Sequence, residues 1–436
     1  MTITTQDSTA VRPLRQVRSL ARTTPGVLGT LALLVVVVGL AAGVFGAISV
    51  QGRVQALDDL SARSGPLSEA AQEIYRSLSD ADATATGAFL SGGLEPAAVR
   101  ARYEQDIAQA SNSLAFAIAA RDTADVTAAG SPLATLAGQL PVYTGLVETA
   151  RANNRQGLPL GVAYQREAST LMSTKLLPAA QSLYEAESGR VSADQDRAGA
   201  FPVVEILLGL LVLGVLIVAQ VYMRRHTNRV FNIGLLFATA AAVVSLLWVS
   251  VASFSVIGSV DDSRTKGSTQ TDVLAKARIS TLQARTDETL TLVARGTGKA
   301  YQDDYVKKTE QLKGLLNSAQ SQATDDLVRD RVHDAWNRGQ AWASAHDKVR
   351  AADDSGDYGT AVKLAIDPTP EGAGTAFDQL DGNLQKAIDQ TRQSFTARIR
   401  DASDALGGTV VAVVLLAVVV AAGAAAGIWQ RLKEYR

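Results

Sequence analysis

The sequence has no cysteine, which removes disulfides, thiol catalysis and cysteine metal sites together. Histidine is scarce too, limited to His226, His333 and His346. The last two share no 3- or 4-residue helical ridge and have no acidic neighbour of the metalloprotease kind, so no metal site is expected. β-Branched clusters bounded by turn dipeptides are few, which argues against strands. GTGK (Gly296 to Lys299) lacks the glycine and Ser/Thr pattern of a phosphate loop and reads as a helix-end turn. Asp353, Asp354 and Asp357 lack the regular ligand spacing of a calcium loop and read as a solvated turn. With neither a catalytic constellation nor a cofactor motif, the expectation is a protein without enzymatic activity and with no cofactor.

What the chain has is long apolar runs. Although 19% of its 436 residues are charged, its mean hydropathy is near zero, because apolar and polar blocks average out. Four runs are long enough to cross a hydrocarbon core, which takes roughly 20 helical residues: 26–50, 203–223, 230–257 and 407–429. None carries a charge near its centre, and Glu205, two residues into the second, is expected to be structural. The first run is too long for a signal-peptide core and a helical pattern continues past it, so it reads as an uncleaved anchor.

Lys and Arg placement sets the expected orientation. Arg12, Arg15, Arg18 and Arg22 precede the first run, Arg224, Arg225 and Arg229 fill the short connection, and Arg431, Lys433 and Arg436 follow the last run. The expected plan is a multi-pass protein of a bacterial cell membrane. Its basic N-terminus (1–25), loop (224–229) and tail (430–436) are cytoplasmic, and two large segments (51–202 and 258–406) lie outside. The outer segments carry 12 basic against 17 acidic residues and 20 against 23. Without a basic excess in either, nucleic acid is not expected as a partner, whereas anionic lipid headgroups suit the basic stubs.

The order span, polar segment, span occurs twice, which suggests a duplicated unit. The polar segments have a helical period: Phe377, Leu384, Ile388, Phe395, Ile399 and Leu406 form one stripe, and Val50, Val54, Leu57, Leu60, Leu67, Ile74 and Leu78 another. Breaks at Gly92-Gly93, Gly130-Ser131-Pro132 and Gly157-Leu158-Pro159 cut the first segment into four helices; breaks near Gly296, Ser321 to Asp325 and Ser355-Gly356 cut the second. A further loop falls at Asp367 to Gly374. The fold class expected is an all-α integral membrane protein with four transmembrane helices and two tandem extracytoplasmic antiparallel four-helix bundles.

Three groups of residues stand out as candidate contacts. Arg224, Arg225, His226 and Arg229 are the part of the inner connection a cytoplasmic partner would meet; as topology signals alone they need no partner. Gly39 and Gly43 on the first span, with Gly423 and Gly427 on the fourth, place small residues one helical turn apart, suited to packing between spans or between protomers of a homodimer. Trp336 and Trp342, around Arg338, read either as bundle core or as a face for an outer partner.

Each bundle with its two spans resembles the extracytoplasmic four-helix-bundle sensor module of chemoreceptors and sensor histidine kinases. The paired arrangement over residues 26–429 is similar to the actinobacterial four-span membrane sensors that couple a glutamine-binding-type lipoprotein to serine/threonine protein kinase G. That resemblance implies an extracytoplasmic substrate-binding protein loaded with an amino acid such as Asp, Glu or Gln as one partner, and a cytoplasmic Ser/Thr kinase or adaptor as the other. It carries over no ligand residue. Ordinary chemoreceptors differ in having a linker domain and methylation helices, which are not expected here. The function expected is a non-enzymatic transmembrane signal transducer; a transporter subunit and a structural envelope tether are the alternatives. The spans lack the buried polar residues and broken helices that a transport pathway would show.

Overall fold

Alanine, leucine and long polar side chains repeat at the helical period through nearly all of the chain, and helices form wherever they do. The computed structural model describes residues 24–90, 95–121, 126, 128, 130–227, 232–366, 369 and 372–433, without the side chains of 24, 25, 226, 227, 431 and 432. Among the described residues there is no strand. The first half contains α1 (Thr24–Asp59), α2 (Gly65–Leu90), α3 (Ala97–Ala119), α4 (Pro132–Arg155), α5 (Leu160–Leu171), α6 (Leu177–Ala198) and α7 (Val203–Thr227). The second contains α8 (Ile233–Ser263), α9 (Thr269–Val293), α10 (Lys299–Gln322), α11 (Asp326–Asp354), α12 (Tyr358–Ile366), α13 (Ala373–Leu406) and α14 (Thr409–Leu432). Short π-helical turns at Leu60–Ser64, Met172–Leu176 and Arg264–Ser268 join α1 to α2, α5 to α6 and α8 to α9. The order of elements in the second half follows that of the first.

The breaks have local causes. At Gly157 and Gly356 the backbone turns left-handed, with φ of +70° and +84°, a region glycine enters without steric cost. In each case the residue after the glycine donates its N–H back into the helix, Leu158 to Asn153 O and Asp357 to Ala352 O, both at 3.0 Å. That closes a Schellman-type end and satisfies carbonyls that the helix would otherwise leave open. Pro132 begins α4, where its missing N–H costs nothing. Asp325 caps α11 by accepting from Leu327 N at 2.8 Å. The Gly92-Gly93 break lies outside the described residues.

The chain divides into two compact units: a four-span unit (1–57, 197–259 and 401–436) and a helical unit (58–196 and 260–400). The helical runs Gly26–Leu90, Leu160–Arg225, Ile233–Val293 and Ala373–Gln430 each contain a stretch long and apolar enough to cross a membrane, so this is an all-α multi-pass membrane architecture.

Within the four-span unit, lipid tails are as apolar as leucine, so the spans gain little from apolar contact alone and rely on close backbone approach and interhelical hydrogen bonds. A methyl group added at Gly43 would collide with Ala417, and one added at Gly39 would stand 3.3 Å from Val420 Cγ1. At the other end of the fourth span, Gly234 meets Gly423 O and Gly427 Cα, each 2.6 Å from where its Cβ would be. Asn232 fastens the same junction. Its Nδ2 donates to Gly427 O at 2.7 Å, while its Oδ1 accepts from Gly234 N and Leu235 N and so caps α8. Gln220 donates to Thr239 Oγ1 at 2.7 Å, tying α7 to α8. Gly427→Leu should therefore force the third and fourth spans apart and destabilise the unit by about 1–3 kcal/mol. Thermal unfolding in detergent reads this, and an unchanged midpoint would show the approach to be unimportant.

In the helical unit, two apolar cores form, each mainly from one half. Leu67, Ile74, Leu78, Leu136, Tyr143 and Met172 centre the first; Leu282, Leu316, Trp342, Leu380 and Leu384 centre the second. Each borrows a residue across the halves, Ile279 in the first and Leu90 in the second. Fully burying one such side chain contributes about 1.5–3 kcal/mol. The α13 stripe points inward at Phe377, Leu384, Ile388 and Ile399. α2 packs against both α3 and α9, and α9 against α10, so α2 and α9 lie centrally, enclosed by other helices.

Candidate functional site

Because α2 and α9 are enclosed, their sequences lack the long polar face of a surface helix. In SLSDADATATGAFL, Ser77, Ser79, Asp80, Asp82 and Thr86 are all buried. Small side chains let neighbouring helices come close, but they do not fill all the space around the junction of the halves. A cavity of about 640 Å³ remains there. The first half lines it with residues that include Tyr75, Ser79 and Asp82 of α2 and Ser169 and Thr170 of α5. The second half contributes Gln283, Thr286 and Asp287 of α9 and Tyr301, Asp304 and Lys308 of α10, among others. The size falls within the range of small-molecule sites.

The cavity holds unusual electrostatics. Asp82 is 4% exposed; its Oδ1 accepts from Tyr143 OH at 3.2 Å and Ser169 Oγ at 3.0 Å. Burial outweighs those two hydrogen bonds and pushes its carboxyl up to about 6. Burial likewise pushes Asp287 up to about 7, helped by the negative charges of Asp304 and Asp82 and opposed by Lys308 and Lys307. At the rim, exposed Lys307 is held by Asp304 at 2.8 Å. Gln283 Nε2 donates to Tyr75 OH at 3.2 Å, which bridges the two halves beside the cavity. Tyr184 OH donates to Asp272 at 2.8 Å, and Arg392 pairs with Glu69 at 3.1 Å, bridging them elsewhere.

The residues singled out from the sequence lie apart from this cavity. Arg224 and Arg225 are exposed near the end of α7; the side chain of His226 and all of Arg229 lie outside the described residues. Gly39, Gly43, Gly423 and Gly427 sit at the span contacts described above. Trp342 offers no partner face: at 1% exposure it is core, stacked edge-on against Tyr305 and Phe377, with Nε1 donating to Glu288. The reason is that α11 turns the apolar side carrying Trp342 inward, where His346 Nδ1 also meets Glu288 at 2.9 Å. Trp336 is partly buried against the same core.

Sequence reasoning missed Asp82, Asp287 and Lys308. The available signal was negative, a run of small residues with no surface face, interrupted by carboxylates. It also missed Arg53. In the four-span unit Arg53 pairs with Glu205 at 3.1 Å and donates to Ser253 Oγ at 2.6 Å, and Ser49 also donates to Glu205.

Residues 56–196 match the family model described as Actinobacterial sensor domain. The matched segment contains α2 to α5, α6 as far as residue 196, and the whole first-half lining of the cavity. No curated protein and no solved structure matches the chain. A sensor-domain match together with four helices apolar enough to cross a membrane supports a membrane sensor.

Proposed function

We propose that the chain is a non-enzymatic transmembrane sensor that takes a small polar ligand in the cavity of its helical unit and passes the change to a cytoplasmic partner. The observation that carries this reading is that both halves supply the cavity lining. A ligand touching both favours one packing of the halves over another, and it shifts their equilibrium only by its difference in affinity for the two packings. A preference of about 1–3 kcal/mol suffices for a useful signal.

The positive-inside distribution supports an orientation with Arg224, Arg225, His226 and Arg229 in the cytoplasm and the helical unit outside. The short inner connection is then the surface a cytoplasmic kinase or adaptor would read. The exposed outer faces are where a substrate-binding lipoprotein would dock, as the resemblance to lipoprotein-coupled sensors implies. The two halves, whose helices follow the same order, suit a duplicated sensor module. Transport is the weaker reading, because Arg53, Glu205, Gln220 and Asn232 of the four-span unit are paired with one another or with neighbouring spans.

The absence of cysteine makes the test direct. Spin labels on Thr170→Cys and Gln311→Cys, two exposed positions at the cavity rim from opposite halves, report their separation in the full chain held in lipid nanodiscs. Organic amines, amino acids, dicarboxylates and polyols are added in turn. At least one class should shift the separation, and Ser173→Trp, which plugs the rim, should abolish the shift. If no class moves the labels, the cavity is not the sensing site.

A further inference from the structure

The geometry points to an organic ammonium ion as the ligand class of the cavity, its cationic head held between Asp82 and Asp287. This rests on the reading of the cavity as a ligand site and adds which chemistry fits it. Both described hydrogen bonds to the Asp82 side chain end on Oδ1, so Oδ2 keeps its capacity to accept. The Asp287 carboxylate receives no described hydrogen bond, and it lies close enough to Asp82 for the two to repel.

The cationic side chains in the lining, Lys307 and Lys308, both belong to α10. Lys307 is exposed and engaged by Asp304, so the half-buried Lys308 is the lysine left facing Asp287. The lining as a whole carries three carboxylates, Asp82, Asp287 and Asp304, against these two lysines, so with Lys307 engaged by Asp304 one negative charge is left over.

The alternatives fit worse. An anion would meet two carboxylates that already repel each other. A neutral polyol would leave the pair with Lys308 as counter-charge to two carboxylates, in a site where burial makes charge costly. A metal ion needs more protein ligands: among the described residues no group of three or more His, Asp or Glu side chains could hold one. An ammonium supplies three donors in a compact head, which suits Asp82 Oδ2, Asp287 and the hydroxyl and amide oxygens between them. The lining tyrosines Tyr75 and Tyr301 offer aromatic surface for the remainder.

A cation also favours the ionised form of both carboxyls, which burial holds up at about 6 and about 7. Binding near neutral pH should therefore release protons. The groups facing this pair are Tyr143 and Ser169 toward Asp82, and Asp304, Lys307 and Lys308 toward Asp287.

Titration calorimetry on the full chain in nanodiscs tests the assignment with ethanolamine, 1,4-diaminobutane, succinate and glycerol as probes. The amines should bind with proton release, visible as a heat that changes with the buffer. Asp82→Asn and Asp287→Asn should each weaken them at least about tenfold; Asp287 stands on the wall, so its variant keeps the test sound should Asp82→Asn fold poorly. Amine binding unchanged in both variants overturns the assignment. Succinate or glycerol binding that Ser173→Trp abolishes, with the amines silent, overturns the ammonium class but leaves the cavity as a ligand site. If no probe binds, the ammonium assignment falls, and the broader reading then rests on the label-separation experiment.

Discussion

Arg53→Ala should destabilise the four-span unit by about 3–5 kcal/mol. Arg53 and Glu205 have side chains only 6% and 8% exposed and sit 3.1 Å apart, so removing the guanidinium leaves a carboxylate inside the unit without its counter-charge. The loss is larger than the pair's own worth, because desolvation of the surviving partner is no longer offset. Replacing both together, Arg53→Met with Glu205→Gln, should therefore recover most of the stability. The amide introduced by Glu205→Gln keeps an acceptor for Ser49, which donates to Glu205 in the native chain. Thermal unfolding of the single and double variants in one detergent decides the matter. A single-variant loss below about 1 kcal/mol would mean that water reaches the pair and screens it.

Unliganded protein should lose stability as pH rises from about 4 to about 7. An acid whose folded pKa lies above its unfolded value imposes no penalty while both states are protonated. The penalty grows as pH climbs from the unfolded value to the folded one, and is constant above that. For Asp82, raised from the usual carboxylate range to about 6 by burial, the full penalty is about 3 kcal/mol. Asp287, raised to about 7 and less completely buried, adds to it over the same window. Asp106, raised to about 7 by burial and by Asp80, contributes a third share.

Melting curves of the full chain between pH 4 and 8 should show this fall. Asp82→Asn with Asp287→Asn should flatten it to the part left by Asp106. A saturating amine, by favouring the charged carboxyls, should flatten it without any mutation. A melting temperature that rises with pH across the window would contradict the burial that raises these carboxyls.

Much of the architecture was legible because its causes are local. Four apolar runs, the glycine turns at Gly157 and Gly356, and stripes such as Phe377, Leu384, Ile388 and Ile399 each declare themselves within a few residues. The Trp336 and Trp342 pair shows where locality fails. The sequence favours core for them and leaves a partner face as the alternative, and only the orientation of α11 against Tyr305, Phe377 and Glu288 places Trp342 inside. Glu205 shows the same limit: its partner is 152 residues away in Arg53, and no periodicity connects them.

The cavity is the extreme case. Asp82 lies in a stretch of alanine, serine and threonine that reads as featureless helix, and Asp287 lies in a different half of the chain. Each becomes distinctive only when α2 and α9 pack side by side and bring both carboxylates to one cavity. Helix type, span positions and helix ends were thus determined by the sequence alone, since they depend on side-chain period, apolar length and backbone freedom at single residues. Which carboxylates are buried, which charges find partners and where space remains were decided by the tertiary structure. Those properties depend on distance and desolvation between residues far apart in the chain.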